Sequence, residues 1–590
     1  MIKYLDKFFY IINIRKKQLI IIFFTVSSAS VLESLGIRLI YPLVSLISQE
    51  NSLKKIPWLN WLSKTLGITN QNYLIAVCAI LFTIIFIFNS SLYLISQNFI
   101  NSFYNHQKTR LVRRLVKGYL QLPYTFYFEK NSADIVKNII IEVNGFCQQC
   151  ISPLLNGSTS LITIIVLGIL LAKTNLFLFT LILVAIFPMF IFCSYLWQKM
   201  RKWGKIQSQA QREIILTINH ILGSLKETQI IGCQEYFKEK LVEPTQSLEQ
   251  AMTLSQTYQI FPKFLLEVFL LLSVIIFICF SVIFNNQNIV ELYSTLGVFA
   301  LAFLRISPAI SSFISAINYL QTSHYALETL YADLYQIDQF KNQNFTNIAL
   351  DSEIIPFDNE VKIEQINYRY KKNSRLILEN LSLTIKPGEL IAIVGKSGSG
   401  KTTLVDIILG ILTPEIGDIK VDGISIYQNL RAWQNIIGYV PQTIFLIDDT
   451  IEKNIAFGVE DESINIERVN EVIKMAQLTD LIEQLPQGIK TLVGERGILL
   501  SGGQRQRIGI ARVLYHNRKI LVFDEATSAL DQETEKNVNE AIQSLMGKVT
   551  MIIVAHRLTT ITHCDRIYFL DADSKKLTET NFLSLQNIEG

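Results

Sequence analysis

Charged residues are scarce in this chain of 590 residues, and they are unevenly spread. They make up 18% of the sequence, against roughly 25% in an average soluble protein. No charged side chain occurs between Lys64 and Lys108, or between Lys173 and Lys199. Uncharged runs of this length indicate membrane-spanning segments rather than the core of a soluble domain. After about residue 340, charged and apolar residues alternate as in a soluble α/β domain.

Patterned cysteine and a strong charge imbalance are also absent. The seven cysteines are scattered and odd in number, so they indicate no disulfide framework. Cys147 and Cys150 have C-x-x-C spacing, but we interpret them as ordinary thiols on a helix. The net charge of +4 gives no indication of nucleic-acid binding.

Six segments are apolar and long enough to cross about 30 Å of hydrocarbon as helices. They cover approximately 18–47, 73–100, 151–172, 175–198, 262–284 and 293–320. We therefore predict an all-α membrane domain over 1–335, a linker over 336–360 and a second domain over 361–590.

Lysine and arginine predict how this domain lies in the membrane. They concentrate before the first span, between the second and third, and between the fourth and fifth. By the positive-inside rule, both termini face the cytoplasm. The two long basic segments are expected to continue the helices below the membrane. Residues 52–66, with apolar positions every three or four residues and two tryptophans, favour a short interfacial helix over a packed loop.

The second domain contains a phosphate-binding loop. "ELIAIVGKSGSGKTTLVDIILGIL" is an apolar strand, a glycine-rich loop and the start of a helix, and it matches G-x-x-x-x-G-K-[ST]. Glycines let backbone N–H groups face phosphate oxygens, Lys401 reaches the β- and γ-phosphates, and Thr402 binds Mg²⁺. The candidate nucleotide-binding residues are Gly395, Lys396, Ser397, Gly398, Ser399, Gly400, Lys401, Thr402 and Thr403. This pattern predicts ATP and Mg²⁺ as cofactors.

A second motif, "KILVFDE" at 519–525, is an apolar strand that ends in two carboxylates. We expect the buried strand to hold Asp524 beside the metal. Glu525 is then placed to act as the general base that polarises an attacking water.

The motifs around these residues resemble those of ABC exporters. "LSGGQRQR" at 500–507 is similar to the signature motif, and "DEATSALD" at 524–531 to the Walker B run with its D-loop. "VPQ", "IIVAHR", "INYRY" and "TLVGERG" resemble the Q-loop, the switch-histidine segment, the adenine-stacking segment and a loop typical of exporters. The resemblance implies a six-helix membrane domain with long intracellular helices, followed by an α/β P-loop ATP-binding cassette.

The resemblance also implies residue roles and a dimer. Gln442 contacts metal or water, His556 senses the γ-phosphate and Tyr370 stacks on adenine. The signature residues of one chain cap the ATP held by the other; here they are Ser501, Gly502, Gly503 and Gln504. Since all these residues are present, a homodimer with two composite sites is expected. A heterodimer with an intact partner stays open.

Two stretches bear on the cargo. "LPQGIKTLVGERG" and "FALAFLRISPA" resemble the bacterial flippases of lipid-linked oligosaccharides. This implies outward movement, across a bacterial inner membrane, of an amphipathic, anionic lipid-linked oligosaccharide or a glycolipid. A peptide or multidrug exporter is the alternative, and an ATP-gated channel or regulator is the least favoured hypothesis because the hydrolytic set is complete.

Arg305 stands alone in the sixth predicted span, where a charge is costly and therefore informative. In one interpretation it receives a phosphate or pyrophosphate of the cargo, together with Lys263. In the other it pairs with an intramembrane carboxylate such as Glu267 or Glu33, or with carbonyls at a helix end. Snorkelling to the interface is a third option.

If Arg305 binds an anionic headgroup, Arg305→Ala should abolish transport and leave basal ATP hydrolysis largely intact. Arg305→Lys should restore only part of the transport, because a point charge cannot form the bidentate pair. If Arg305 instead closes an ion pair, the single mutant should unfold at lower temperature, and Glu267→Ala should rescue it. Thermal midpoints and transport rates of the single and double mutants distinguish the two interpretations.

Overall fold

The structure is a computed structural model. It describes residues 2–12, 65, 71–174, 176–284, 289–344, 355–370, 375–525, 532–555 and 561–582. The chain divides into two compact units. The first comprises Met1–Leu122 and Phe126–Asn344, and the second comprises Pro123–Thr125 and Phe345–Gly590.

The regular secondary structure in the described residues of the first unit is entirely helical. Its helices are α1 (Ile2–Ile12), α2 (Gln71–Gln121), α3 (Phe126–Glu129), α4 (Ser132–Lys137), α5 (Val143–Phe146), α6 (Ser152–Thr174), α7 (Leu176–Gly223), α8 (Leu225–Ile231), α9 (Gln234–Phe284), α10 (Ile289–Thr322) and α11 (His324–Asn344). Single π-helical turns at Asn138–Glu142 and Cys147–Ile151 join α4, α5 and α6 into one continuous path.

Five of the predicted spans fall on helices of the first unit, namely α2, α6, α7, α9 and α10. The first predicted span, 18–47, lies outside the described residues, as does the predicted interfacial helix at 52–66 except for residue 65. Among the described residues, the stretches long and apolar enough to cross a membrane are Ile75–Gln121, Ser132–Lys173 and Gln234–Phe280.

The predicted helical extensions are confirmed by helix length. Helices α2 and α9 have 51 residues each and α7 has 48, so each is more than about 70 Å long at 1.5 Å per residue. About 20 residues are enough to cross the hydrocarbon. The remainder of each helix carries the basic residues that were expected outside the membrane.

Buried polar side chains tie the extensions together. Asp333 on α11 is 6% exposed. It accepts hydrogen bonds from the Tyr119 hydroxyl, the Lys130 ammonium and, at 2.7 Å, the Asn138 amide. Because a buried carboxylate is stable only when paired and hydrogen-bonded, this cluster fixes α11 against α2 and the segment around α4.

The second unit contains two sheets. Its strands are β1 (Val361–Tyr368), β2 (Leu378–Ile385), β3 (Leu390–Val394), β4 (Ile416–Val421), β5 (Ile424–Ser425), β6 (Ile437–Val440), β7 (Ile520–Asp524), β8 (Thr550–Ala555), β9 (Arg566–Leu570) and β10 (Leu577–Thr580). Its α-helices are α12 (Lys401–Ile408), α13 (Leu430–Gln434), α14 (Ile451–Ile455), α15 (Ile466–Met475), α16 (Thr479–Gln484), α17 (Gly502–Tyr515) and α18 (Gln532–Ser544).

The larger sheet has the order β10-β9-β3-β8-β7-β6, and all its pairings are parallel except that of β10 with β9. The smaller sheet, β2-β1-β4-β5, is antiparallel. Every residue of β3, β7 and β8 is buried. Alternate residues of β3 belong to two different apolar clusters. This burial on both faces explains the continuous apolar runs at these strands.

A glycine lies where two helices of the first unit come close together. A Cβ added to Gly204 on α7 would lie 2.0 Å from the carbonyl oxygen of Thr322 at the end of α10. Small residues let helix backbones approach in this way in membrane proteins. Gly223 on the same helix has no atom within 4 Å of such a Cβ.

Gly204→Ala should therefore lower the stability of the first unit by about 1–3 kcal/mol through overpacking. Gly223→Ala is the matched control, and we expect it to be neutral or slightly stabilising, because alanine favours helix. Thermal unfolding of both variants in detergent measures the difference. Equal midpoints for the two would contradict the close approach of α7 and α10.

Candidate functional site: the ATP-binding unit

The carboxyl ends of neighbouring parallel strands place the predicted site residues at one edge of the larger sheet. Strand β3 leads into the phosphate-binding loop, β7 ends at Asp524, and β6 ends two residues before Gln442. Strand β8 ends at Ala555, directly before His556, which lies outside the described residues. In open α/β sheets this edge is the usual place for ligands.

The phosphate-binding loop depends on its glycines. Gly398 and Gly400 have φ angles of 78° and 109°, in a region that side chains with a Cβ avoid. A Cβ on Gly395 would lie 2.5 Å from the Leu570 carbonyl oxygen. The loop therefore curls closely against the end of β9, as a phosphate cradle requires.

Lys401 begins α12 and reaches back across this loop. Its ammonium donates to the carbonyl oxygens of Gly395 at 2.8 Å and Lys396 at 3.2 Å. Burial lowers the pKa of Lys401, and the negative charges of Glu525 and Asp524 oppose that effect. The charge of Lys401 is therefore held over the loop, close to the two carboxylates that were predicted to act with it.

The two threonines that follow Lys401 differ in their exposure to solvent. Thr402 is exposed and Thr403 is buried. The Tyr370 hydroxyl lies 3.0 Å from Oγ1 of Thr403, so the predicted adenine platform lies beside α12. The tyrosine is 46% exposed. Its stacking role stays a prediction.

The two carboxylates differ in their surroundings. Asp524 is 6% exposed, and it accepts a hydrogen bond from the Tyr439 hydroxyl at 3.3 Å. Glu525 has a φ of 51° and accepts a hydrogen bond of 2.8 Å from the amide of Gln442. The structure thus brings together the residues predicted as general base and as metal or water ligand.

Two further residues at this edge were missed by sequence reasoning. Burial and the charge of Asp524 raise the pKa of Tyr439, and the same causes raise the pKa of Asp406 to about 6. Asp406 lies four residues after Thr402, on the same face of α12. That spacing is a signal in the sequence, whereas Tyr439 is recognisable only from the pairing of β6 with β7.

The signature motif forms the start of α17. Ser501 caps the helix, with its hydroxyl accepting from Gln504 N–H at 3.3 Å and its own N–H donating to Gln504 Oε1 at 2.8 Å. This reciprocal capping box leaves the helix N-terminus ordered. In the part of the chain that the structure describes, no hydrogen bond or ion pair joins Ser501 or Gln504 to residues 395–403. The remaining signature residues, Gly502 and Gly503, are the first two of the helix.

Helix α17 also holds the segment that carries Gln442. The buried amide of Gln506 donates to the carbonyl oxygen of Pro441 at 3.3 Å. A Cβ on Gly509 would lie 2.4 Å from Cδ1 of Ile444, and Arg512 donates to the carbonyl oxygen of Phe445 at 3.1 Å. One face of the helix is therefore packed along residues 441–445.

The predicted cargo residues lie in the first unit. Lys263 and Glu267 are both exposed on α9. Arg305 is part of α10, but its side chain and Glu33 lie outside the described set. The interpretations of Arg305 therefore stay as predictions.

The chain matches two family models. Residues 19–307 match the ABC transporter transmembrane region, and residues 378–528 match the ABC transporter ATP-binding model. The membrane match begins in the first predicted span and ends in the sixth, just after Arg305. The second match includes the phosphate-binding loop, the signature motif and Glu525.

Relatives and a solved structure agree with these matches. The chain is 31% identical over 474 residues to the ATP-dependent lipid A-core flippase of Ralstonia nicotianae, covering 78% of this chain and 76% of the relative. It is 29% identical over 494 residues to the protein of that name from Francisella tularensis, covering 81% and 78%. A bacterial Atm1-family ABC exporter with ATP bound shares the fold with a TM-score of 0.72, 22% identity and 96% coverage of both chains. The matched regions, the two units and the phosphate-binding edge lead to one conclusion: this chain belongs to the ABC transporter family, as an ATP-hydrolysing exporter in which one transmembrane region precedes one ATP-binding domain.

Proposed function

We propose that two copies of this chain form an ATP-driven flippase that moves an amphipathic glycolipid or lipid-linked oligosaccharide outward from the inner leaflet. The observation that carries this proposal is that one chain joins a long-helix membrane unit to a sheet edge that brings Gln442 against Glu525. Its curated relatives are named lipid A-core flippases. The positive-inside pattern supports a bacterial inner membrane location with both termini and the ATP-binding domain in the cytoplasm.

The residues at the sheet edge fit Mg²⁺ and ATP. The exposed hydroxyl of Thr402, the Asp524 carboxylate and the Gln442 amide oxygen are the hard oxygen donors that Mg²⁺ prefers. These three side chains would hold Mg²⁺, which would neutralise the negative charge that develops on the phosphates. Lys401 binds the β- and γ-phosphates, and the backbone N–H groups of 395–400 cradle them.

Water activation falls to Glu525. Its carboxylate accepts a 2.8 Å hydrogen bond from Gln442, which orients it to act as the general base for an attacking water. His556 is proposed to contact the γ-phosphate, on the expectation from its motif.

Dimer formation completes the site. The capped N-terminus of α17 presents Ser501 and two glycines without engaging the phosphate-binding loop of its own chain. A helix N-terminus with free N–H groups favours an anion. We propose that it receives the γ-phosphate held by the partner chain, so that two chains enclose two ATP molecules.

Glu525→Gln tests the chemistry and the transport together. The variant should bind ATP as the wild type does. It should hydrolyse ATP at least about 10²-fold more slowly, which is the lower end of a general base's contribution. In liposomes it should also fail to move a fluorescent glycolipid. The matched control is Glu540→Gln, an exposed glutamate of α18, which should keep both activities.

Normal hydrolysis by Glu525→Gln would remove this residue from the mechanism. A wild type that hydrolyses ATP but moves a labelled peptide or a cationic drug, and no lipid, would overturn the flippase proposal in favour of a peptide or multidrug exporter.

Mixed dimers test whether the sites are shared. A dimer with Lys401→Ala in one chain and Ser501→Ala in the other should keep one intact composite site and hydrolyse ATP. The matched control carries both substitutions in one chain beside a wild-type partner, which damages both shared sites and should be inactive. The opposite pattern, measured as ATPase activity of affinity-purified mixed dimers, would show that each chain uses its own signature.

A further inference from the structure

A polar cavity lies among the helices of the first unit. It has a volume of about 520 Å³, within the roughly 300–1,000 Å³ range of small-molecule sites. Its walls come from the turn at Cys147–Ile151 and from α6, α7, α9 and α10. Gln259 precedes the predicted span 262–284, and Thr322 follows the span 293–320. The cavity therefore lies at the cytoplasmic ends of the spans in the proposed orientation.

The chemistry of the lining is uniform. None of the 15 lining residues carries a formal charge, and 12 of them bear an amide or hydroxyl group. Carboxamides offer both donors and acceptors, and hydroxyls offer one donor and two lone pairs. Such a wall hydrogen-bonds a neutral polar ligand in both directions, but it offers an anion no opposite charge.

Much of this hydrogen-bonding capacity is unused by the protein. Among the described residues, the side chains of Gln149, Gln256, Ser312, Ser315 and Tyr319 form no hydrogen bond to another protein group.

Hydrogen bonds within the protein hold other parts of the cavity wall in place. The Asn156 amide donates to Ser152 Oγ at 3.3 Å, and the Gln207 amide donates to the carbonyl oxygen of Ala251 at 3.1 Å. The cavity thus combines a supported frame with open donors and acceptors, which is the arrangement of a preorganised site.

We infer that this cavity binds the uncharged, polyhydroxylated headgroup of the transported lipid, that is, its sugar. The inference rests on the flippase function proposed above. A sugar presents alternating hydroxyl donors and acceptors, and its apolar ring face can lie against the Tyr319 ring. An apolar peptide fits less well, because Pro153, Met252 and Ala316 are the only lining residues without an amide or hydroxyl group.

The position along α10 is consistent with an amphipathic cargo. Ser312 and Ser315 follow Arg305 by seven and ten residues, or roughly 10 and 15 Å along the helix axis. A glycolipid held with its sugar in the cavity extends towards the membrane past the level of Arg305. The sugar and the linking group of the lipid therefore meet different parts of the same helix.

The test compares two lipids with the same fluorescent acyl chain, one carrying a neutral lactosyl headgroup and the other phosphatidic acid. The full chain is reconstituted in liposomes, and ATP-dependent movement of each lipid is measured. The triple variant Gln149→Met, Gln256→Met and Ser315→Ala removes hydrogen-bonding groups and nearly conserves volume. It should move the lactosyl lipid at least about tenfold more slowly, since several hydrogen bonds are lost. If the wild type also moves phosphatidic acid, the rate for that lipid should change less than twofold in the triple variant.

Gln250→Met is the matched control, because Gln250 is exposed on the same helix as Gln256 and is not part of the cavity wall. It should move the lactosyl lipid like the wild type. Basal ATP hydrolysis and the thermal midpoint should be unchanged in all variants. If the triple variant folds poorly, the single variants Gln256→Met and Ser312→Ala are measured instead, with a smaller loss expected for the lactosyl lipid alone.

The outcomes separate the inference from the function on which it rests. A wild type that moves neither lipid overturns both. A wild type that moves only phosphatidic acid overturns the sugar site and leaves the flippase standing. Lactosyl transport at the wild-type rate in the triple variant, or an equal slowing of both lipids, also overturns the sugar site alone.

Discussion

Parallel pairing of β3, β8, β7 and β6 is the constraint on which the ATP-binding unit depends. It aligns the carboxyl ends of strands that are far apart in sequence, as where Val394 of β3 pairs with Ala555 of β8. Lys401, Asp524, Glu525 and Gln442 meet at that edge because their strands pair in this order. Burial of both sheet faces gives the strands little freedom to slip, because a shift in register would break both apolar clusters. Local geometry, such as the positive φ of Glu525 and the curled glycine loop, is imposed on this fixed frame.

The membrane unit follows a different constraint. Each of its long helices must satisfy apolar surroundings over one stretch and an aqueous environment over the next, and its sequence changes character accordingly. Beyond the predicted spans, a buried ion pair lies beside an apolar cluster. Lys137 and Glu142, both nearly inaccessible, lie 3.3 Å apart, and Ser208 on α7 donates to the same carboxylate. Because a buried pair needs further hydrogen bonds to be stable, the contacts of Ser208 with both charged groups join this segment to α7.

Much of the fold and of the ATP site could be predicted from the sequence, because the signals are local. The glycine loop, the apolar strand ending in Asp524 and the capping pattern of Ser501 and Gln504 each occupy one short stretch. Residues that act through tertiary contacts could not be predicted in this way. Tyr439 reaches Asp524 only because two distant strands pair, and Gln506 reaches Pro441 only because α17 packs on that segment. The polar cavity has the same origin: its glutamines and serines come from four separate stretches of the chain, and each stretch by itself resembles an ordinary helix face.

The contact between α17 and residues 441–445 has a consequence for timing. If this helix caps the partner's nucleotide, as proposed, then its far face holds the Gln442 segment of its own chain. If ATP at one site orders this helix, the helix would also position the Gln442 amide at the other site. Coupling between two binding sites is reciprocal by thermodynamic necessity, so each ATP would change the affinity for the second by the same factor. The two nucleotides of the dimer would then not bind independently of each other.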